Sequence, residues 1–160
     1  MASAGRRAVS MSDEEVERFL ADQRKVQVAS IGRDGAPHLT TLFYVLDEGR
    51  IAFWTYRSSQ KVRNLERDPR ISCLVETGTD YAELAGVSLQ GTAELLRDVD
   101  RVREVGSRVV AAMAGGADLG QLGVDLVEQQ VPKRVAVVVT PRKVASWDHA
   151  KLAGPPGAPS

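Results

Sequence analysis

Three strand-like runs follow one another with very short connections, and this spacing restricts the folds that the chain can adopt. The runs are residues 25 to 31, 37 to 46 and 50 to 56, all rich in β-branched and aromatic side chains. The two connections, residues 32 to 35 (GRDG) and 47 to 49 (DEG), contain the aspartate and glycine residues that tight hairpins favour. We therefore predict an antiparallel meander in this part of the chain.

Hydrophobic periodicity predicts the remaining elements. Apolar residues at helical spacing indicate helices at about 12 to 23, 60 to 67, 98 to 114 and 118 to 130. Further strands are expected at about 70 to 76, 84 to 96, 134 to 140 and 142 to 148. Gly86 and Gly91 are expected to form bulges or bends. Six or seven antiparallel strands with accessory helices favour a mainly β protein that closes into a barrel, because closure removes exposed sheet edges.

The apolar run from Val135 to Val139 contains no polar residue, which indicates a strand that is covered on both faces. A small antiparallel barrel does not usually supply both covers from one chain. A second copy of the chain would supply the missing cover, so this run is an argument for a homodimer. The valine stripe between residues 99 and 110 is interpreted as core or as dimer surface.

Composition places these elements in one compact domain. The chain has 160 residues, of which 43% are hydrophobic and 26% charged, and these fractions are typical of a single folded core. We predict a disordered extension at residues 1 to 10, a barrel domain at 11 to 153 and a flexible tail at 154 to 160. Ser12 and Glu15 have the spacing of a capping box at the start of the first helix.

Charge and cysteine content exclude several classes of function. Lysine and arginine together number 21, as do aspartate and glutamate, so the chain has no general attraction for nucleic acid. No apolar stretch approaches the roughly 20 residues needed to cross a bilayer, and we expect a cytoplasmic protein without a membrane partner. The one cysteine, Cys73, lies in an apolar run and is expected to be buried. One cysteine and two histidines are too few ligands for a convincing metal site.

A cluster of hydroxyls and cations lies where the third strand-like run meets the helix at 60 to 67. It consists of Thr55, Ser58, Ser59, Arg57 and Lys61. Backbone N–H groups at the start of a helix lack partners and carry partial positive charge, so an anion such as phosphate gains hydrogen bonds there. An ordinary capped helix with solvated cations has the same pattern and is the more common case. The residues alone leave both interpretations open.

The same segment resembles a known family. Residues 53 to 61 (FWTYRSSQK) and 62 to 70 (VRNLERDPR) resemble the pyridoxamine 5′-phosphate oxidase-like superfamily. Within it, the chain looks most like the actinobacterial branch that uses the deazaflavin coenzyme F420, in which a lysine is followed by Arg-Asn-Leu and Arg-Asp-Pro-Arg. The similarity in element order extends from about residue 13 to 152 and includes the closing segment 146 to 152 (SWDHAKL). This resemblance implies a split β-barrel of the FMN-binding type.

The resemblance also implies which residues bind a cofactor. Relatives contact it with an aromatic residue and a threonine, here Trp54 and Thr55, and hold its phosphate with a serine and a lysine, here Ser59 and Lys61. The strand before them lines the ring system and supplies hydrogen-bond donors. The full set of cofactor-binding residues that we predict is His38, Leu39, Thr40, Thr41, Trp54, Thr55, Arg57, Ser58, Ser59, Lys61 and Trp147.

Several interpretations remain open at the level of residues. Trp147 either closes the pocket or packs against the barrel, and the pair Lys133-Arg134 either meets an acidic cofactor tail or faces solvent. Gln60 stands where the oxidases have an arginine, and the strand from residue 37 to 42 lacks their basic residues. Both changes remove positive charge, which weighs against oxidation of a vitamin phosphate. The sequence identifies no catalytic residue.

The resemblance therefore implies an oxidoreductase with a phosphorylated, flavin-like cofactor. The preferred hypothesis is an F420H2-dependent reductase that transfers a hydride from the reduced deazaflavin to a small unsaturated or heteroaromatic acceptor, in a pocket shared across a homodimer. One alternative is an FMN-dependent reductase or oxidase of the same fold. Another is a protein that binds flavin, deazaflavin or haem without turnover.

Overall fold

The computed structural model describes residues 4 to 153, so the predicted tail at 154 to 160 lies outside the described residues. Five α-helices are formed: α1 (Ala4–Val9), α2 (Asp13–Asp22), α3 (Gln60–Arg67), α4 (Val99–Met113) and α5 (Gly120–Gln130). Seven strands are formed: β1 (Lys25–Ile31), β2 (Pro37–Phe43), β3 (Val45–Asp47), β4 (Arg50–Tyr56), β5 (Arg70–Thr77), β6 (Ala85–Leu96) and β7 (Arg134–Asp148). Short 3-10 helices lie at Tyr81–Glu83, Val131–Lys133 and His149–Ala153. None of the described helices is both long and apolar enough to cross a membrane.

The strands form one antiparallel sheet in the order β2-β1-β5-β6-β7-β4-β3. Its two edge strands, β2 and β3, are consecutive in the chain and only Tyr44 separates them. The sheet is therefore curled into a split barrel, which confirms the predicted fold class. Tyr44 is buried at this corner, where its N–H donates to the Arg24 carbonyl (2.9 Å) and its hydroxyl to the Leu20 carbonyl (2.5 Å).

The prediction of a meander was wrong for the second run. Residues 37 to 46 form two strands: β2 pairs with β1 at one edge of the sheet, and β3 pairs with β4 at the other. The hydrogen bonds of Tyr44 turn the chain between them. Inward- and outward-facing side chains alternate in the same way before and after this corner. The hydrophobic pattern of the sequence therefore gives no sign that the chain turns at Tyr44.

The two strands predicted at the end of the domain are one continuous strand, β7. The shift in register lies opposite Gly91, which pairs with Pro141, whereas its neighbour Gln90 pairs with Lys143. The extra residue, Arg142, is on β7, so the predicted bulge lies opposite Gly91. A Cβ at Gly91 would lie 2.3 Å from the Thr140 carbonyl oxygen, so the strands approach closely here. Gly86, in contrast, pairs without a register shift and is no bulge; a Cβ there would lie 2.3 Å from the ring of its partner Trp147.

Two apolar cores lie on opposite faces of the sheet. The barrel interior holds Phe53 and Val137, and the outer face of β4 and β7 packs beneath α4. The buried outer residues are Ala52, Trp54, Val102, Val105, Val109, Val127, Val131, Ala136 and Val138. The run at 135 to 139 is therefore covered by the barrel on one side and by α4 on the other, within one chain. The interpretation that a second copy of the chain covers this run is wrong. The valine stripe is core except at Val99, which is 54% exposed.

The N-terminal segment differs from the prediction as well. Residues 4 to 9 form helix α1, where we expected disorder, and Val9 is buried. The helix lies against β7 and the 3-10 helix at His149–Ala153, and Lys151 Nζ donates to the Ser10 carbonyl (2.9 Å). Contacts with the distant end of the chain stabilise this short helix. The capping box at the start of α2 is confirmed, with Ser12 and Glu15 each accepting the other's backbone N–H.

Candidate functional site

The junction between β4 and α3 carries a buried hydroxyl without a partner. The chain leaves β4 at Tyr56 and turns through a hydrogen bond from Ser59 N–H to the Tyr56 carbonyl (3.0 Å). Ser59 then occupies the N-cap position of α3 in extended geometry (φ −70°), but its side chain caps nothing. Its Oγ is buried and has no hydrogen-bond partner among the described residues. A buried polar atom of this kind needs a partner that the chain itself does not supply.

Lys61 lies two residues further on and is half-buried. Its Nζ donates to Oγ1 of Thr55 (3.2 Å), a buried residue of β4. Burial lowers the pKa of Lys61, and the positive charge of Arg134 lowers that pKa further. Among residues 4 to 153, no carboxylate lies within ion-pair distance of Lys61 or Arg134. Two neighbouring cations without a counterion favour the binding of an anion.

Arg134 is a functional residue that the sequence pattern did not identify: it could face solvent or meet a cofactor tail, and it was not among the predicted site residues. In the structure it is half-buried at the start of β7, opposite Tyr56. Its guanidinium carbon lies 3.6 Å from the ring centroid of Tyr56 and 5.0 Å from that of Trp54. Its Nη2 and Nε donate to Oε1 of Gln130 (3.0 and 3.2 Å). Only the pairing of β4 with β7, which joins distant parts of the chain, brings this arginine to the site.

The four predicted residues of β2 divide between two faces. His38 and Thr40 pair with Ser30 and Val28 of β1 and face the barrel interior with them. His38 Nδ1 and Thr40 Oγ1 are buried and have no hydrogen-bond partner among the described residues. Leu39 and Thr41 point to the outer face, and Leu39 is 66% exposed. The predicted ring-lining residues therefore cannot all contact one face of a planar ligand.

Asn64 anchors α3 to the barrel, a role that the sequence analysis did not assign although the residue belongs to the motif. It is fully buried, and its Nδ2 donates to Ser30 Oγ (3.0 Å). Its Oδ1 accepts from Gln60 Nε2 (2.9 Å) and from Arg67 Nη2 (3.2 Å). This network holds α3, with Lys61 in its first turn, against β1. It also engages the amide of Gln60, the residue that replaces an arginine of the oxidases.

The remaining predicted residues lie apart from this cluster. Arg57 and Ser58 are exposed in the turn after β4. Trp147 packs on Gly86 near the other end of β7, twelve residues beyond Val135, the strand partner of Thr55. That separation corresponds to a path of about 40 Å along an extended strand. Within one chain, Trp147 and the cluster do not meet.

A cavity of about 510 Å³ adjoins the cluster on the outer face of the sheet. It lies between β2, β4 and the helices α4 and α5, and Thr41, Trp54 and Arg134 are among its lining residues.

The described residues hold no cluster that would bind a metal ion. Within residues 4 to 153, no three histidine, cysteine or acidic side chains come together as a metal site would require. Burial raises the pKa of Cys73 to about 12, so the thiol is an inert part of the core.

Comparisons with known proteins agree with this architecture. The family model for pyridoxamine 5′-phosphate oxidase matches residues 12–148. The conserved hypothetical protein Rv2991 from Mycobacterium tuberculosis is 37% identical, with a TM-score of 0.86 over 97% of this chain and 96% of that one. No curated protein matches the chain significantly.

Two more distant structures share the fold. One is named F420 reductase, with 18% identity and a TM-score of 0.56 over 81% of this chain and 94% of that one. The other is the haem storage protein HutZ from Vibrio cholerae, with 16% identity and a TM-score of 0.62 over 85% and 96% of the two chains. The family model covers most of the chain, and the barrel, α3 and its lysine occur in the order that the motif predicted. The chain belongs to the pyridoxamine 5′-phosphate oxidase family.

Proposed function

We propose that this protein is an F420H2-dependent reductase that transfers a hydride from reduced deazaflavin to a small unsaturated or heteroaromatic acceptor. One observation carries the proposal: the buried, unpartnered hydroxyl of Ser59 precedes the half-buried, uncompensated cation of Lys61 at the start of α3. Leaving such groups without partners costs free energy, and one phosphate would satisfy both.

The residues at this junction fit a phosphate ester. Lys61 Nζ and the hydroxyls of Thr55 and Ser59 are polar groups that bind phosphate oxygens. The first N–H groups of α3 have no intrahelical partners and point out of the helix at the end where Ser59 lies. Arg134 adds a second positive charge nearby. In this arrangement the chain binds the phosphate end of the cofactor and sets its orientation.

Strand β2 has polar groups that suit the ring system of such a cofactor. His38 Nδ1 and Thr40 Oγ1 are buried without partners on the inner face of β2, so a bound ring with polar edges would satisfy them. A bound reduced deazaflavin supplies the hydride. The protein positions the ring, excludes water with its apolar walls, and offers the Thr40 hydroxyl as a donor to negative charge on the ring edge.

One further point weighs against a vitamin phosphate. The amide of Gln60, in place of an arginine, is engaged by Asn64 and adds no charge. A protein named F420 reductase shares the fold, as the proposal requires. We also propose that the protein acts in the cytoplasm. We propose a homodimer as well, because Trp147 would reach the cofactor only from a second copy of the chain.

Titration of the purified protein with coenzyme F420 and with FMN tests the proposal. We expect the fluorescence of F420 to change and saturate at micromolar protein, and reduced F420 to be oxidised when enones or nitroheteroaromatic acceptors are added. Unchanged F420 fluorescence at high micromolar protein contradicts the proposal. Purification as a yellow protein with tightly bound FMN favours the FMN-dependent alternative instead.

Binding without turnover is a second candidate, and the free Nδ1 of His38 is the observation that favours it. Imidazole nitrogen is a common axial ligand of haem iron, and a haem storage protein shares the fold. A haemin titration should then give a Soret band that His38→Ala abolishes. If F420 binds and no acceptor oxidises its reduced form, storage of the deazaflavin is the better description.

A further inference from the structure

The cavity next to Arg134 has the character of a binding site for an apolar molecule. Its volume of about 510 Å³ lies within the range that holds small organic ligands. Most of its wall is apolar, formed by residues such as Phe43, Val109 and Leu126. The polar side chains at the wall are those of Thr41, Gln130 and Arg134, and Arg134 alone among the lining residues is charged.

The floor of the cavity is rigid. Trp54 is only 6% exposed, and its ring packs against α4 at Gly106. A Cβ at Gly106 would lie 2.3 Å from the nearest ring carbon, so the glycine allows the ring to approach the helix. Glycine is a poor helix former, and this close contact explains its presence inside α4. A wall that is fixed before binding loses little entropy when a ligand arrives.

Arg134 provides one charged group at this apolar wall. Its guanidinium is held between the Tyr56 and Trp54 rings and two of its nitrogens donate to the neutral amide of Gln130. Within residues 4 to 153 it has no carboxylate partner. The planar guanidinium fork matches a carboxylate, and it has more N–H donors than Gln130 uses.

We propose that this cavity binds an apolar carboxylate, an aromatic or medium-chain acid whose hydrocarbon part lies against Trp54 and whose carboxylate pairs with Arg134. The site is distinct from the phosphate site, which lies on the Lys61 side of Arg134 and consists of the Lys61 ammonium, the hydroxyls of Thr55 and Ser59, and backbone N–H groups. The binding of this acid does not rest on the proposed function.

Calorimetric titration of the cofactor-free protein with 2-naphthoate and with its neutral isostere 2-naphthamide tests the proposal. We expect 2-naphthoate to bind at least about tenfold more tightly, the scale of one charge-assisted hydrogen bond. Arg134→Met should remove this preference and leave the affinity for 2-naphthamide unchanged. Arg142→Met, which removes an exposed arginine outside the cavity, should leave both affinities unchanged.

A second variant covers the case in which Arg134→Met fails to fold. Leu126 lines the cavity but is 42% exposed, so Leu126→Trp fills the cavity without disturbing the core. Both compounds should then bind at least about tenfold more weakly, since the apolar contact is lost. The proposal is overturned if the acid and the amide bind the wild-type protein equally, if neither binds at millimolar concentration, or if Leu126→Trp leaves both affinities unchanged.

Two controls separate this site from the cofactor site. Lys61→Ala should leave the affinity for 2-naphthoate unchanged within about threefold, because the exposed apolar wall and Arg134 remain. Saturating F420 or FMN should not displace 2-naphthoate. Displacement would show that the cavity is the ring slot of the cofactor and would overturn the proposal of a separate site. Failure of F420 to bind, with 2-naphthoate still bound, would contradict the proposed function alone.

Discussion

At the scale of single residues, the informative side chains are the buried polar ones. Asn64 is fully buried and its hydrogen bonds go to residues on β1 and on its own helix. Ser59, Thr40 and His38 each have a buried polar atom without a partner among the described residues. An unsatisfied buried group costs about 1–3 kcal/mol, so a ligand that hydrogen-bonds to these three atoms would gain free energy from each.

Lys61→Ala should weaken the binding of a phosphorylated cofactor by about 1.5–3 kcal/mol, because it removes a charge-assisted hydrogen bond to the phosphate. Fluorescence titration measures the dissociation constant. Arg63→Ala is the matched control: it removes the same charge from an exposed position on the same helix. Equal losses in the two variants would mean that the helix attracts the cofactor only through its general charge.

The affinity for this cofactor should also depend on pH through Lys61. Burial and the charge of Arg134 lower the pKa of Lys61, so the ammonium loses its proton at a lower pH than an exposed lysine does. Binding is strongest below this lowered pKa and weakens as the pH rises through it. In Lys61→Arg the charge persists, and titrations over alkaline pH should show the decline at higher pH. Identical profiles for the two proteins would rule out Lys61 as the titrating group.

Ser59→Ala should separate stability from binding. The Ser59 side chain makes no capping bond, so its loss should leave the free energy of unfolding unchanged or raise it by about 1 kcal/mol, while cofactor affinity falls by about 0.5–1.5 kcal/mol. Ser12→Ala is the contrast, because the hydroxyl of Ser12 does cap α2 and its loss should cost about 1 kcal/mol. Urea unfolding measures both. A similar destabilisation in both variants would show that Ser59 is an ordinary cap.

At the scale of elements, close packing of β4 against α4 depends on Gly106. Gly106→Ala gains about 1 kcal/mol of helix propensity, but its Cβ would lie 2.3 Å from the Trp54 ring, and overpacking of this kind costs about 1–3 kcal/mol. We therefore expect net destabilisation and a changed emission of Trp54. Ser107→Ala, on the exposed side of the same helix, should be neutral or slightly stabilising. Urea unfolding that shows a more stable Gly106→Ala protein would contradict this account.

At the scale of the whole molecule, the two cores share strands. Alternate residues of β4 and β7 enter the barrel interior and the layer beneath α4, so breaking these strand pairs disrupts both cores. We expect both to unfold in one cooperative transition. In Trp147→Phe, the fluorescence of Trp54 reports the outer core and far-ultraviolet circular dichroism reports the sheet; the two should change over the same range of urea. Separate midpoints would show that α4 and α5 unfold independently.

The sequence by itself determined the local structure of this protein. The bounds of β1, β4 and α3 agree with the runs read from periodicity and turn residues, because hairpin turns, caps and amphipathic spacing depend on residues close together in the chain. The motif around Lys61 and Asn64 likewise belongs to one continuous segment. Family, fold class and the position of the candidate phosphate site all follow from such local features.

Only the tertiary structure decided which distant residues meet. Strand register placed Arg134 beside Lys61, put His38 and Thr40 on the face opposite Thr41, and left Trp147 at the far end of β7. The corner at Tyr44, and the cover that α4 gives to residues 135 to 139, arise in the same way. These contacts join residues far apart in sequence, and their energies depend on how the whole sheet closes, which no local pattern records.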